Sequence, residues 1–452
     1  MIAPTDSVGA FCIWRPLKWR SYKTVRFAHS LAALLVFCSA APASAQTGAL
    51  TLEDCVRLAL KAPSAVTIAQ QERRISEYGI SAARASFLPQ IQLNNGFNYN
   101  SSPLAGNPDI IKGGSFVALN GIREYQSLIG SALEIDTSGR LRAALARARA
   151  DQQIAAADLA IIQRDLKRAV TAAFYQLVLA RRLIAANREV LKEAESFAER
   201  SRTMYREGEV AQADVTKAES QIAFLTQAVQ AAELDAQTAN AALASFWTED
   251  VAAELNVTDN LESQPAPETA ESKPSAFLGR PEFRVLDAQR QGFEADYRHQ
   301  RDYLFPQLTF NLEYGIDSDH VAIRDRGQAY LFTLNIPIFD WFKTRDEARQ
   351  FRLRAEQTET RKEISRREFS RDYQNALSRV RLIHGQIALT ETQVRSSEEN
   401  LKLSRIRYEG GEGPSLDVVA AQTQLAQARS NYYTALAAYA MARADLEVAS
   451  GK

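Results

Sequence analysis

Phe87-Leu88-Pro89-Gln90-Ile91-Gln92-Leu93-Asn94 is met again 217 positions later as Leu304-Phe305-Pro306-Gln307-Leu308-Thr309-Phe310-Asn311. In both copies a helical pattern, Leu52–Ser86 and then Glu282–Tyr303, runs into a proline that cannot continue it. In both copies the hydrophobic period then changes from helical to alternating. Ile91, Leu93, Phe97 and Tyr99 share one side, with Gln90, Gln92, Asn94, Asn98 and Asn100 opposite. Leu308, Phe310, Leu312, Tyr314 and Ile316 do the same against Gln307, Thr309, Asn311, Glu313 and Asp317. The stretch therefore predicts two amphipathic strands, each entered from a helix at Pro89 or Pro306.

Outward from these junctions the repetition continues. Returning strands follow, weakly patterned over Tyr125–Ile135 and clearly over Tyr330, Phe332, Leu334, Ile336 and Ile338, giving hairpins at 90–136 and 307–339. Ser201–Glu209 with Asp214-Val215 matches Ser404–Glu412 with Asp417-Val418 at an offset of 203. The 14-residue difference in offset places an insertion in the first copy, and the Gly-, Pro-, Asn- and Ser-rich segment 101–121 reads as the surface loop that absorbs it. Residues 139–204 and 342–407 are 66-residue stretches without proline, each about 100 Å of helix. Such lengths far exceed ordinary globular helices and predict elements that span distance. Breaks at 205–211 and 408–414 turn the chain back, and heptads fill 212–247 and 415–449. Val215, Ile222, Val229, Ala236 and Leu243 recur every seven residues, with Ala218, Leu225, Ala232, Ala239 and Phe246 three places on. This seven-residue rhythm predicts coiled-coil packing against another helix of the protein. The chain thus divides into a first repeat, 46–249, a proline-interrupted linker, 250–279, and a second repeat, 280–452.

Residues 1–45 stand apart. Arg15, Lys18, Arg20, Lys23 and Arg26 precede an apolar run at 31–37 and then Ala43-Ser44-Ala45, the pattern of a secretory signal peptide cleaved before Gln46. The run is too short for a membrane-spanning anchor. Cys38 follows Val36-Phe37 rather than small residues, so no lipidated N-terminus is expected. Loss of the leader removes 5 of 54 basic and 1 of 54 acidic residues, leaving 49 against 53, a balance that gives no basis for nucleic-acid binding. Only Cys55 remains of three cysteines, so packing or assembly, not a disulfide, must stabilise the fold. No catalytic or nucleotide motif is present, and His299, His320 and His384 are too scattered to suggest a metal; neither enzyme activity nor a cofactor is expected.

Each strand has about the length that a tilted transmembrane strand needs, and an open sheet edge in hydrocarbon costs several kcal/mol. Four strands cannot close around a useful lumen, so if they lie in lipid the chain must oligomerise. Here the sequence resembles the TolC-like outer-membrane efflux protein family over essentially all of residues 46–452. Leu52-Glu53-Asp54, the two Pro-Gln junctions, Ile135-Asp136 before Gly139-Arg140-Leu141-Arg142, Ile336-Pro337-Ile338-Phe339-Asp340 and the duplicated Tyr-x-x-Gly-Glu turns carry the resemblance. It implies a mainly α fold, a homotrimer in the outer membrane with four strands per chain in one β-barrel. A periplasmic α-helical barrel would continue from it, docking a periplasmic adaptor and an inner-membrane pump. Lipid would then meet Ile91, Leu93, Phe97, Tyr99, Leu308, Phe310, Leu312 and Tyr314; Pro89, Pro306, Gly139 and Pro337 would mark the helix–strand junctions.

By the same resemblance Asp214 and Asp417 match carboxylates that narrow the periplasmic entrance, and Tyr408 matches a tyrosine of the closed-state contacts. A third acidic position of the family is Ala420 here. Both aspartates also suit the first turn of a helix, where the dipole favours negative charge. Tyr205, Gly208, Glu209, Gly411 and Glu412 fall at the helix-tip turns that would meet the adaptor. One rival reading is a soluble periplasmic coiled-coil adaptor, which leaves the strands unexplained. Another, an exported enzyme with a helical stalk, has no stretch free for a catalytic domain.

Overall fold

The computed structural model describes residues 49–99, 123–263, 265, 275–318 and 320–452. The expected leader at 1–45, with its unlipidated Cys38, the expected loop at 101–121 and residues 266–274 of the linker lie outside the described residues.

The pattern over Leu52–Ser86 resolves into two helices rather than one, α1 (Leu52–Lys61) and α2 (Ala65–Ala85). Pro63 is the cause: the residue before it is driven out of helical space, and Ala62 is extended with φ −69° and ψ 153°. Thr51 and Asp54 close a capping box at the start of α1, and Ser64 caps α2. After Pro89 come β1 (Gln90–Tyr99), β2 (Arg123–Ile135), α3 (Arg140–Glu207) and α4 (Gln212–Ala244). The order recurs as α5 (Pro281–Arg301), β3 (Gln307–Ser318), β4 (Arg326–Asn335), α6 (Lys343–Glu409) and α7 (Ser415–Ser450).

The ends of four elements differ from expectation. The long helices run further, so Tyr205 and Tyr408 occupy the last turns of α3 and α6 rather than the loops after them. α4 stops at Ala244, before the last expected heptad position, Phe246. β4 stops at Asn335, leaving Ile336 and Ile338 beyond it, because Pro337 has no N–H to give a ladder.

The four strands form one antiparallel sheet in the order β1-β2-β3-β4. Below it α3 and α4 form one antiparallel hairpin and α6 and α7 another, with α7 packed on α3 and α5 seated between α3 and α6. The heptads are responsible: Ala218, Leu225, Ala232, Ala239 and Leu243 of α4 are buried, as are Val418, Ala421, Leu425, Ala428 and Ala435 of α7. The main core lies where the repeats meet, with Val170, Phe174, Leu177 and Val178 of α3 against Leu243, Leu436, Ala437 and Ala440. The linker contributes to it. Leu261 is wholly buried, Val257 pairs with Leu50, and Asn240 of α4 accepts from the Leu255 N–H while donating to the Ala253 carbonyl. Among the described residues α3 alone contains a stretch long and apolar enough to cross a membrane, and α3 lays its apolar side into this core.

Candidate functional site

Antiparallel pairing puts directly opposed residues on the same face of a sheet. The register sets Leu93 opposite Ile129, Phe97 opposite Tyr125, Leu133 opposite Phe310, and Phe310 opposite Phe332. All the apolar alternations therefore fall on one side, tied by ring contacts of 4.8 Å for Phe97–Tyr125 and 4.7 Å for Phe310–Phe332. Among the described residues nothing covers this face. Ile91, Leu93, Phe97, Tyr99, Tyr314, Tyr330, Phe332 and Leu334 are exposed, while Leu308, Phe310 and Leu312 are half-buried among their neighbours. The other face carries Gln90, Gln92, Asn94, Gln126, Thr309, Asn311, Glu313 and Thr333, with Leu128 and Leu331 as departures. Gly315 lies opposite Leu128, and a Cβ there would stand 2.0 Å from the Ser127 carbonyl oxygen, so no other residue fits. Among the described residues β1 and β4 each keep one unpaired edge.

The junctions are held by polar clusters. Thr137 donates to the Pro306 carbonyl at 2.9 Å, tying the two junctions together. Asp136 accepts from the Leu141 and Arg142 amides at 3.0 and 3.2 Å and from Arg142 Nε at 2.9 Å, filling the open N-terminus of α3. Burial alone would raise its carboxyl, yet these bonds hold it below the usual range. Gly139 is the left-handed residue before α3, and Arg140 pairs with Glu134 and donates to the Tyr303 hydroxyl at 3.1 Å. In the second repeat Trp341 and Phe342 take the left-handed backbone instead, and Asp340 accepts from the Thr344 amide at 2.9 Å. Pro337 lies in the segment joining β4 to α6.

At the far end both hairpins turn by the same motif. Gly208 and Gly411 are left-handed, with φ of +83° and +74°. Glu209 N–H reaches the Met204 carbonyl and Glu412 N–H the Arg407 carbonyl, each at 2.9 Å, which is the Schellman closure that glycine allows. Tyr205, Gly208, Glu209, Gly411 and Glu412 are all exposed at these tips. The two tyrosines diverge. Tyr408 is buried, its ring 5.0 Å from Phe197 and its hydroxyl donating to Ser201 Oγ at 3.2 Å, whereas Tyr205 is exposed. Asp214 and Asp417 each sit in the first turn of a helix, where the dipole favours them. Asp214 also accepts from Ser415 Oγ at 2.5 Å and so ties α4 to α7; among the described residues Asp417 is paired with Arg407, at 4.0 Å.

Residues 56–249 and 274–452 both match the sequence pattern described as outer membrane efflux protein. The chain belongs to the outer membrane efflux protein family. Its family is one of passive channels in the outer membrane and not of enzymes. The pyoverdine export outer membrane protein OpmQ of Pseudomonas aeruginosa is 25% identical over 309 residues, 67% of this chain and 65% of that relative. The match thus spans under two thirds of OpmQ's length. The fold is that of solved outer-membrane channels. CmeC of Campylobacter jejuni superposes with a TM-score of 0.78 at 16% identity, over 88% of this chain and 85% of that one. MtrE of Neisseria gonorrhoeae does so with 0.74 at 21%, over 88% of each.

For this outer membrane efflux protein the structure brings Tyr408 and Asp214 into ties between the two hairpins, and leaves Asp417 and Tyr205 unshared between them. Sequence reasoning missed the partners, Ser201 and Ser415. Ser201 opens the repeated tip motif and Ser415 follows Pro414 at a helix start, but which helices adjoin at the tip is a tertiary fact. Among the described residues no group of three or more His, Cys, Asp or Glu could hold a metal ion.

Proposed function

We propose that the chain is one protomer of a trimeric outer-membrane channel that carries efflux or secretion substrates from a periplasmic adaptor and inner-membrane pump to the exterior. One observation carries this: a four-stranded sheet with one uncovered apolar face, one polar face and an unpaired edge at each end. In water the apolar face is a liability; in lipid it is the required surface, and the free edges must then be paired. Two copies would give eight strands, whose interior is filled by side chains, whereas three give twelve strands and a lumen. The sheet's Gln, Asn and Thr face would line that lumen. The likeness to OpmQ supports export as the direction of flow. The helices extend from the sheet as an aqueous duct whose exposed tips, at Gly208-Glu209 and Gly411-Glu412, dock the adaptor. Asp417, held by a single distant Arg407, is the carboxylate best placed to face the entrance.

Heat-sensitive trimers on unboiled gels, recovered only with detergent from outer membranes, are the expected result. A soluble periplasmic monomer would instead support the adaptor reading. In planar bilayers Asp417→Ala should raise conductance about tenfold or less, in line with the loss of one charge–charge contact per copy. Equal conductance of Asp417→Ala, Asp214→Ala and the unmodified channel would reduce both aspartates to helix caps.

A further inference from the structure

The two strand-to-helix junctions hold the same place in the repeat and differ in what they display. In the first, Thr137-Ser138-Gly139 makes the turn into α3, glycine takes the left-handed backbone, and Arg140 and Arg142 are matched by Glu134 and Asp136. In the second, Trp341 and Phe342 take that backbone, which disfavours any residue with a Cβ. Strain of this kind persists only where the surroundings over-determine it, and it collects at functional sites. Its result here is a bare aromatic cluster. Phe339, Trp341 and Phe342 are 61%, 84% and 52% exposed, with the Phe339 ring 5.0 Å from Trp341 and 5.7 Å from Phe342. The apolar side of β4 leads into it, since Ile336 and Ile338 continue the alternation of Tyr330, Phe332 and Leu334 and are bare as well. Cations follow at once. Residues 343–352 hold Lys343, Arg345, Arg349 and Arg352 against Asp346 and Glu347. Arg345, Arg349 and Arg352 recur at the spacing of one helix face. The Arg345 guanidinium lies 4.3 Å from the centre of the Phe342 ring. Asp346 is shared between Arg345, at 3.2 Å, and Arg349, at 3.5 Å; Lys343 reaches Glu347 at 4.0 Å, and Arg352 meets Glu356 at 3.4 Å. One carboxylate for two arginines leaves positive charge in excess beside the rings.

We infer that the junction of β4 with α6 is a membrane-interface site that binds anionic phospholipid head groups on the helix side of the outer membrane. Three features agree on this occupant. Aromatic rings at the end of a lipid-facing strand suit the head-group level, where one side of a ring is wet and the other apolar. Arginines beside them lie along apolar surface with their stems while the guanidinium groups meet phosphate through two-point, charge-assisted hydrogen bonds. β4 ends at Asn335, so the cluster lies past the strand edge that pairing between copies must cover. The first junction, with its cations matched and glycine at its turn, offers no such patch. Lipid and sheet thus hold the strained turn from two sides and set the depth at which β4 gives way to α6. The inference rests on the reading of the uncovered sheet face as lipid-facing.

Residues 46–452 contain two tryptophans, Trp247 and Trp341, so Trp247→Phe leaves Trp341 as the sole indole of that span. The test is quenching of its fluorescence by brominated lipids, with protein purified from outer membranes and reconstituted into vesicles of phosphatidylcholine and phosphatidylglycerol. Bromines close to the head group should quench Trp341 more than bromines close to the chain ends. At equal mole fraction, brominated phosphatidylglycerol should show about five times the apparent association of brominated phosphatidylcholine, the effect of one basic contact. About 1 M salt should abolish that preference. Arg345→Gln/Arg349→Gln should make the two lipids equivalent and leave the depth of Trp341 unchanged. As a control, Phe332→Trp combined with Trp247→Phe and Trp341→Phe should be quenched from deeper in the chains. A quenched control with Trp341 unquenched, or with Trp341 indifferent to the head group, would overturn the site while leaving the lipid-facing sheet. So would a preference that survives Arg345→Gln/Arg349→Gln. Quenching of neither reporter would instead overturn the lipid reading of the sheet itself.

Discussion

Gly315 shows how one side chain, or its lack, decides a register. With the Ser127 carbonyl oxygen 2.0 Å from where a Cβ would sit, Gly315→Ala must push β3 off β2. A loss of several kcal/mol is expected, on the order of the worst overpacking changes, read as loss of the folded band on unboiled gels. Glu282 is the second residue with a measurable signature. Burial opposes its ionisation, but hydrogen bonds from Arg280 and Arg164 outweigh that and hold the carboxyl at about 2, against an ordinary 4.5. A folded value below the unfolded one stabilises fully above about pH 4.5, and the benefit disappears as pH falls towards 2. It amounts to roughly 3 kcal/mol at most. Glu282→Gln should therefore lower the melting temperature at pH 7, and its gap from the unmodified protein should narrow steadily between pH 5 and about 2.5 in thermal melts followed by circular dichroism. A gap that stays constant with pH would show that the carboxylate's charge contributes nothing there.

At the scale of elements, the same motif used twice performs differently according to what lies beside it. Both tips close by a Schellman turn, yet Tyr408 finds Phe197 and Ser201, while the residue corresponding to Phe197 in the second repeat is Asn400. Leu225, fully buried between the hairpins with Val190, Ala194 and Leu425, is a heptad position on which α3, α4 and α7 converge. Leu225→Ala should cost about 2–5 kcal/mol, visible as a lower melting temperature, whereas truncating exposed Phe224 should leave the isolated protomer's packing nearly unchanged. The second junction holds Trp341 and Phe342 left-handed at φ 56° and 65°, the only described non-glycine residues so placed. Removing that strain with Phe342→Gly should stabilise by about 1 kcal/mol in chemical denaturation, provided the ring's contact with Phe339 and Arg345 is worth less.

At the scale of the whole molecule, the described residues leave several surfaces open. One apolar sheet face, two unpaired edges and bare leucines on its helical flanks are surfaces that a finished assembly would cover. Phe332→Arg places a charge on the uncovered face and should reduce insertion stability by about 2–4 kcal/mol if that face meets mid-bilayer lipid, falling towards zero near its rim. Urea titration of the protein refolded into vesicles measures it. An unaltered midpoint would mean that the face meets water.

Much of this was readable from residues alone, for a physical reason in each case. Proline ends helices, alternation makes amphipathic strands, and a seven-residue rhythm makes coiled coils, so Pro89, Pro306 and the heptads placed nearly every element. Duplication made the signal stronger still, since local rules gave the same answer twice. The family followed from the order of those elements. What the chain could not disclose linearly was adjacency: that Ser201 receives Tyr408, that Ser415 reaches Asp214, or that Asn240 binds the linker. Such contacts join residues as much as 207 positions apart. They depend on how helices of similar sequence are laid side by side, and a period repeated along the chain says which face is buried but not against which neighbour.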